Sequence, residues 1–588
     1  MKVITDNSSL VAAAAVGLAS VPLLAYYYKK ESKRPIKLVD VTLTDDELIK
    51  QGFATKKIPA DIDVIVIGSG MSGLTVASAL AKEGKRVLVL EQHDVAGGNN
   101  HTFEEKGYEF DTGLHYIGGH LDDKKWPNRK MFDYISNDGV EFQHLGKVVD
   151  VALTIRDDGS RDELLITGDL DDLIGTLKTR FPNDHEAIDA YFKAIAEARR
   201  NIGVTFGLQM CPTWARPLFR YWYAPKFKYY LKTVQDVVSS LTTNQELIGI
   251  LNYCWGDYGD PPARAAFAMN SAILNHYRGG SYYPIGGPSV IAKKVTRVIE
   301  SHGGKVLVRA PVETILVDAN GAAYGVRVKG KDILAKTIIS TIGATATYTK
   351  FVPEAHSHRV AHLVKELADP AVQSCCSLMS LFVGFKGDAK ALGLPTHNVW
   401  KFPSWAHQAN FDASKASPDA PFCALFMSFS SAKDPTYAAR YPGKQVGLVV
   451  GPSFYDHVEQ FKDGRVKHRG DAYDAMKESW KERLLTAFLD EFPKVTRESI
   501  EVLELGTALT NDYYLGTTRG AIYGLGHTPA RFASDATNVR TPIANLFLSG
   551  QDTVAAGIIG AAYSGLLTAA IVEPSMASKL MHILSRSK

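Results

Sequence analysis

The sequence predicts an α/β protein with a parallel sheet, and two observations predict it. Residues 63–68, DVIVIG, form a β-branched apolar run that stops at a glycine, as a buried parallel strand does. MSGLTVASALAKEG at 71–84 follows as a helix, and RVLVLEQ at 86–92 follows as the next strand. This is a βαβ unit, and its first turn carries glycines spaced GxGxxG.

Each polar or glycine position of this unit has a physical role in holding a dinucleotide. Gly68 permits the tight turn, Gly70 lets the backbone approach a pyrophosphate, and Gly73 lets helix and strand pack closely. Glu91 ends the second strand, where its carboxylate accepts from ribose hydroxyls and repels a 2′-phosphate, which disfavours NADP at this site. We therefore predict a Rossmann-like domain whose dinucleotide contacts are Gly68, Gly70, Met71, Ser72, Gly73 and Glu91.

Composition limits the remaining possibilities. A chain of 588 residues that is 45% hydrophobic can bury a large core in more than one domain. A net charge of +3 provides no field that would attract nucleic acid, so no nucleic-acid partner is expected. The five cysteines have no CxxC spacing, so we predict a reducing compartment, no disulfide framework and no metal site.

The first 37 residues are predicted to form a membrane anchor or signal segment. Residues 9–28 carry no charge and as a helix would span about 30 Å, the thickness of a bilayer core. Tyr26 to Tyr28 and the basic stretch KKESKRPIK follow this run, which predicts an uncleaved anchor with the body in the cytosol. The alternative is a cleaved secretory signal.

A second glycine pair, Gly97 and Gly98, lies just past the strand that carries Glu91, and four further segments accompany it. They are NHYRGGSYYPIGGPSVIA at 275–292, SSAKDPTYAARYPG at 430–443, LTNDYYLGTTRGAIYG at 509–524 and NLFLSGQDTVAAGIIGAAYSG at 545–565. With these motifs the chain resembles the FAD-binding oxidoreductases that include phytoene desaturases, carotenoid isomerases and retinol saturases. The resemblance implies FAD as cofactor, a FAD-binding domain of the glutathione-reductase and amine-oxidase type, and an apolar polyene substrate at the endoplasmic reticulum membrane.

The resemblance also implies further cofactor contacts. The Asp552 carboxylate would take a ribityl hydroxyl, although it could instead cap a buried helix. A helix opening near 557–561 would direct its positive end at the flavin edge, and the Val312 backbone would meet the adenine. The contacts implied in addition are Gly97, Gly98, Val312, Gly550, Asp552 and Ile559.

The returns to the FAD-binding sheet divide the chain into discontinuous domains. We predict FAD-binding parts at 58–150, 271–351 and 501–575, and an interleaved α+β substrate lobe at 151–270 and 352–500. The segment WARPLFRYWYAPKFKYYLK at 214–232 is aromatic and basic with no acid. It suits either a membrane-facing entrance or an ordinary core helix with exposed charges.

One departure from the resemblance concerns Asn99 and Asn100, because the saturases commonly have two cysteines after the second glycine pair. This difference indicates either a changed substrate or a less active relative, although both asparagines also suit a turn with positive φ.

Reducing an alkene needs a hydride from reduced flavin at one carbon and a proton at the next carbon, and a Tyr or His can donate that proton. His115 in DTGLHYIGG is the first candidate for this catalytic role and Tyr277 is the second, ahead of His101, Tyr116, His276, Tyr513 and Tyr523. No second GxGxxG is present for a bound nicotinamide, so an unidentified external electron donor is expected, with NAD or NADP as one candidate source.

The functional hypothesis is an FAD-dependent reductase of one double bond in a retinoid polyene. Desaturation or isomerisation of a carotenoid is the alternative within the same family. A non-enzymatic prenyl-binding chaperone resembling the Rab GDP dissociation inhibitors is the alternative from another class.

Overall fold

The structure is a computed structural model that describes residues 36–156, 158–374 and 376–586. The predicted N-terminal anchor therefore lies outside the described residues. Among the residues described, no helix has both the length and the hydropathy needed to cross a membrane.

The dinucleotide sheet has five parallel strands, and it confirms the predicted βαβ unit. From edge to edge its strands are Lys305–Leu307, Val87–Leu90, Val64–Ile67, Thr337–Ser340 and Leu546–Leu548. The two central strands of the predicted unit are buried along their whole length, as their continuous apolar composition requires. Strands from three distant parts of the chain therefore form one Rossmann-like sheet.

Three long helices cover one face of this sheet, namely Met71–Lys82, Ser289–Ser301 and Gly557–Val572. The first of them packs against both of the others. Gly73 is required here because a Cβ at this position would lie 2.1 Å from the carbonyl oxygen of Gly68. On the other face lies an antiparallel sheet of strands Val312–Val317, Ala323–Val328 and Lys331–Leu334.

The second sheet has seven strands and belongs to the substrate lobe. In order they are Ile500–Gly506, Ser377–Lys386, Lys444–Ser453, Leu425–Ser428, Asn398–Phe402, Val148–Ile155 and Arg161–Thr167. The pairing is antiparallel except between Asn398–Phe402 and Val148–Ile155. The predicted boundaries at 150 and 501 therefore fall inside strands of this sheet.

Helices cover both faces of the second sheet. Asp471–Glu491 packs on one face through Trp480, Leu484 and Phe488. The other face meets a helical layer whose members are Leu170–Arg180, His185–Arg200, Gly203–Met210, Arg216–Trp222, Val234–Ser239, Gln245–Leu251 and Phe267–His276. Two small sheets, Thr102–Glu105 with Tyr108–Asp111 and Ile117–Gly118 with Ser281–Pro284 and Phe142–His144, join the two lobes.

Candidate active site

The GxGxxG turn opens onto a cavity of about 490 Å³, here called the cofactor cavity. Seven of the predicted contacts line it, namely Gly68, Gly70, Glu91, Gly98, Val312, Gly550 and Asp552. Ile559 lines the neighbouring apolar cavity instead. The other predicted contacts lie behind the cavity wall, in the first turn of the helix and at Gly97.

The start of helix Met71–Lys82 has the properties of an anion site. The backbone N–H groups of Met71, Ser72 and Gly73 donate to no residue that the structure describes, as is usual for the first turn of a helix. A Cβ added at Gly70 would meet nothing within 4 Å, so this glycine faces open space. Free N–H groups, a positive helix end and room at Gly70 together fit a dinucleotide pyrophosphate.

Glu91 and Asp552 are held by backbone groups around the cofactor cavity. One oxygen of Glu91 accepts from the Ser69 N–H at 2.9 Å and from the Ser69 hydroxyl at 2.7 Å. The oxygens of Asp552 accept from the N–H groups of Ala344 and Leu525, both at 2.9 Å. The Asp552 carboxylate therefore caps the helical turn that starts at Ala344, as the capping alternative predicts. Its remaining lone pairs can still accept a hydrogen bond from a ribityl hydroxyl.

The glycine pair after Glu91 forms a turn in which the glycines, and not the asparagines, take positive φ. Gly97 has φ 130° and Gly98 has φ 55°, whereas neither Asn99 nor Asn100 is left-handed. A need for positive φ therefore does not explain the two asparagines. Asn99 lines the cofactor cavity, and Asn100 is buried. The departure from the saturase pattern thus includes one residue of the cofactor cavity wall, Asn99.

A second cavity, of about 390 Å³, lies against the start of helix Gly557–Val572 and meets the cofactor cavity at Ile522. We call it the apolar cavity. Its walls are mostly apolar and aromatic, and include Ile202, Phe206, Met269, Ile273, Trp400 and Phe426. A chain of apolar carbons would fill such a space with little competition from water.

The two catalytic candidates, His115 and Tyr277, both line the apolar cavity. Burial lowers the pKa of His115 to about 3, with a further contribution from the Lys433 ammonium. At neutral pH His115 is therefore an uncharged imidazole. The Tyr277 ring stacks on the Tyr116 ring with centroids 4.5 Å apart, and burial raises the pKa of its hydroxyl well above the usual value.

Sequence reasoning missed Asp257, which faces the same cavity from the segment YCWGDYG. The Tyr116 hydroxyl donates to both carboxylate oxygens of Asp257 at 3.2 Å. Burial, and then the nearby carboxylate of Asp150, raises the pKa of Asp257 well above its ordinary value. Asp257 therefore keeps its proton to a higher pH than an exposed aspartate does. An acid placed among aromatic and glycine residues was the available signal for this site.

Lys433 supports the cavity wall behind His115. Its ammonium donates to the His115 carbonyl oxygen at 2.9 Å, to the Ser428 hydroxyl at 2.7 Å, and to Asn398. Burial lowers the pKa of Lys433 to about 7, although the carboxylates of Asp111 and Asp150 oppose this effect. The motif SSAKDPTYAARYPG therefore positions the His115 backbone.

The remaining catalytic candidates lie in different parts of the structure. His276 accepts the Gly118 N–H at its Nε2 atom at 2.8 Å, so its ring has a structural role. His101 lies in the cofactor cavity, Tyr523 lines the apolar cavity, and Tyr513 is exposed.

Comparison with known proteins agrees with this geometry. The model of the flavin containing amine oxidoreductase family matches residues 71–439. An all-trans-retinol 13,14-reductase from Danio rerio is 35% identical over 564 residues, which cover 92% of this chain and 91% of the relative. The chain belongs to the all-trans-retinol 13,14-reductase family, within the flavin containing amine oxidoreductases.

Two further relatives show what overall sequence identity does and does not say about activity. An inactive all-trans-retinol 13,14-reductase from Danio rerio is 33% identical, covering 90% of this chain and 88% of the relative. Overall identity therefore does not separate active from inactive members of the reductase family. A chloroplastic prolycopene isomerase from Daucus carota is more distant, with 24% identity, 90% of this chain and 82% of the relative.

Solved structures agree on the fold of the reductase family. Cyclohexylamine oxidase from Brevibacterium oxydans superposes with a TM-score of 0.55 at 16% identity, covering 88% of this chain and 99% of the oxidase. At this identity the likeness supports the two-lobed architecture alone. The predicted fold class is thereby confirmed for the described residues.

Proposed function

We propose that this chain uses FAD to reduce one double bond of a retinoid polyene, with all-trans-retinol as the first candidate substrate and a 13,14-dihydroretinol type product. The observation that carries the proposal is the apolar cavity, which meets the cofactor cavity at Ile522. Membership of the 13,14-reductase family supports an oxidoreductase that acts on CH–CH groups.

The residues of the cofactor cavity bind and orient FAD. The free N–H groups after Gly70 take the pyrophosphate, Glu91 takes the ribose of the adenosine, and Asp552 takes a ribityl hydroxyl. The start of helix Gly557–Val572 directs positive charge into the junction of the two cavities. When bound and reduced, FAD supplies the hydride equivalent that one carbon of the double bond needs.

The second carbon needs a proton, and we assign its transfer to Tyr277. His115 remains the other candidate, but a pKa of about 3 leaves its imidazole without an acidic proton at neutral pH. The Tyr277 ring stacks on Tyr116, whose hydroxyl is hydrogen-bonded to Asp257, a buried carboxyl with a raised pKa. When Tyr277 gives up its proton, Tyr116 can pass its own proton to Tyr277 and take one from the protonated form of Asp257, while the apolar walls exclude water.

The electron source in this proposal is external. An NAD or NADP coenzyme, or a protein that binds transiently, would reduce FAD between turnovers.

The test is anaerobic incubation of chemically reduced, FAD-loaded protein with all-trans-retinol, followed by chromatography and mass spectrometry. We expect a product two hydrogens heavier than the substrate, together with reoxidised flavin. An unchanged mass with altered double-bond geometry would assign the chain to isomerisation, the alternative within the family. Flavin that stays reduced with every polyene offered would overturn the reductase proposal and place the chain with the inactive relative.

We also propose that the protein is held at the endoplasmic reticulum membrane with its body in the cytosol. Segment 214–232 supports this, because one side of it is exposed while Phe219, Phe227 and Tyr230 are buried. The exposed side chains are Trp214, Leu218, Tyr221, Trp222 and Leu231, with exposed fractions from 51% to 78%. Aromatic rings beside lysines suit the headgroup layer, and Tyr230 also lines the apolar cavity.

Tryptophan fluorescence of the full chain in vesicles that contain brominated lipid tests the exposed segment. We expect strong quenching by the lipid, most of which disappears in the Trp214→Phe, Trp222→Phe double variant. Trp405→Phe is the control, because Trp405 is half-buried and donates to Asp162. Quenching that persists in the double variant would remove this segment as the lipid contact. Protease protection of the body in sealed microsomes would contradict the cytosolic orientation.

A further inference from the structure

Three arginines lie at or beside the wall of the apolar cavity. Arg199 and Arg278 line the cavity itself, and Arg586 stacks on the ring of Trp126, a further lining residue, at 4.4 Å. Trp126 in turn stacks on His120, with ring centroids 3.7 Å apart. We call Arg199, Arg278 and Arg586 the arginine rim.

The charge of the arginine rim is not neutralised within the part of the chain that the structure describes. None of its three guanidinium groups forms an ion pair or a hydrogen bond with a described residue. Elsewhere the half-buried Arg180 pairs with Asp162 and Glu246. Arg199 and Arg278 are half-buried as Arg180 is but have no acidic partner among the described residues, and Arg586 is exposed.

Two of the acidic groups near the arginine rim, Asp122 and Asp169, accept hydrogen bonds from other groups. Asp122, which faces His120, accepts the Tyr282 hydroxyl at 2.6 Å. Asp169 lines an open depression beside Arg278, but it accepts the N–H groups of Asp171 and Asp172 at the start of a helix.

Guanidinium groups that lie close together without acidic partners are electrostatically unfavourable unless an anion binds to them. Burial, and then the proximity of Arg278 and Arg586, lowers the pKa of Arg199. A half-buried cation without a counter-ion is unfavourable, whereas a carboxylate or phosphate can accept two parallel hydrogen bonds from one guanidinium. A neutral hydroxyl would accept one hydrogen bond and leave the charge in place.

We propose that the arginine rim binds the anionic end group, a carboxylate or a phosphate, of an apolar chain whose body fills the cavity. For a C20 polyene this means that the acid or the phosphate ester binds better than the alcohol. Binding of the anionic end group does not depend on the proposed reductase function. Only the reduction of the bound polyene rests on that function.

The test compares all-trans-retinoic acid, all-trans-retinyl phosphate and all-trans-retinol as probes on the FAD-loaded full chain, with dissociation constants measured by fluorescence quenching. We expect at least one of the two anions to bind on the order of 10- to 100-fold more tightly than the alcohol. The comparison of acid with phosphate ester then identifies which anion the rim prefers.

The Arg199→Gln, Arg278→Gln double variant should lose this preference, while the dissociation constant for the alcohol changes by less than about threefold. Arg200→Gln is the matched control, because Arg200 ends the same helix but is exposed and does not line the cavity. If the double variant loses FAD, Arg278→Gln alone should still reduce the preference several-fold.

Two results would overturn the inference: equal affinity of the wild type for the alcohol and both anions, or an anion preference that survives in both arginine variants. Product analysis on the same samples separates this inference from the proposed function. A protein that prefers an anion but reduces no polyene would remove the reductase proposal alone. A protein that reduces retinol without any anion preference would remove the arginine rim proposal alone.

Discussion

Replacing Gly70 with valine is expected to give a folded protein that carries no FAD. A Cβ at Gly70 meets no atom within 4 Å, so the protein itself accommodates the side chain. The same side chain would occupy the space that the pyrophosphate needs, and we expect FAD affinity to fall by on the order of 100-fold or more. The measurement is the flavin absorbance of the purified variant, together with its thermal unfolding temperature in the absence of added FAD.

Gly73→Val provides the contrast, because its Cβ would clash with the Gly68 carbonyl oxygen at 2.1 Å. This variant should lose the fold as well as the flavin. A yellow Gly70→Val protein with normal flavin content would show that the dinucleotide does not lie against this turn.

Replacing Tyr277 with phenylalanine is expected to lower the rate of polyene reduction by about 10²- to 10⁴-fold with FAD retained, because the phenol hydroxyl is the proposed proton donor. Asp257→Asn should also slow turnover, since an amide keeps the hydrogen bond from Tyr116 but carries no acidic proton. Burial raises the pKa of Asp257, so activity that needs its proton is present below this raised pKa and is lost as pH rises through it. Single-turnover reoxidation of the reduced flavin, followed across pH, measures both effects.

His115→Ala is the comparison that decides between the two candidate donors. If His115 donates the proton, this variant should show the same 10²- to 10⁴-fold loss while Tyr277→Phe remains active. A wild-type rate that does not fall at high pH would argue against Asp257 as the proton reserve.

Sequence reasoning was most successful where the signal is local. The β-branched runs, the glycine spacing and the acid at the strand end predicted the βαβ unit, and its two strands do pair in parallel in one sheet. The strand pairing of the substrate lobe was beyond reach, because Asn398 pairs with Asp150, 248 residues earlier, and no nearby residue indicates that contact.

The candidate site shows the same contrast between residues on local motifs and residues that only the fold brings together. Seven of the twelve predicted cofactor contacts line one cavity, whereas Asp257 and the arginine rim acquire their properties from burial and from neighbours far along the chain. A carboxyl or guanidinium in a sequence carries no sign of how much water surrounds it. Prediction of perturbed acids and unpaired arginines therefore required the fold.

The order of strands in the dinucleotide sheet also governs how the protein is made. Its first strand begins at Val64, yet the last, Leu546–Leu548, leaves the ribosome only after the whole second sheet. At 5 to 20 residues per second the nascent chain waits on the order of a minute with unpaired apolar strand edges. Loading of the flavin is consequently a late event, because the cofactor cavity is lined by residues from Ile67 to Asp552 and is complete only when the last of them has been made.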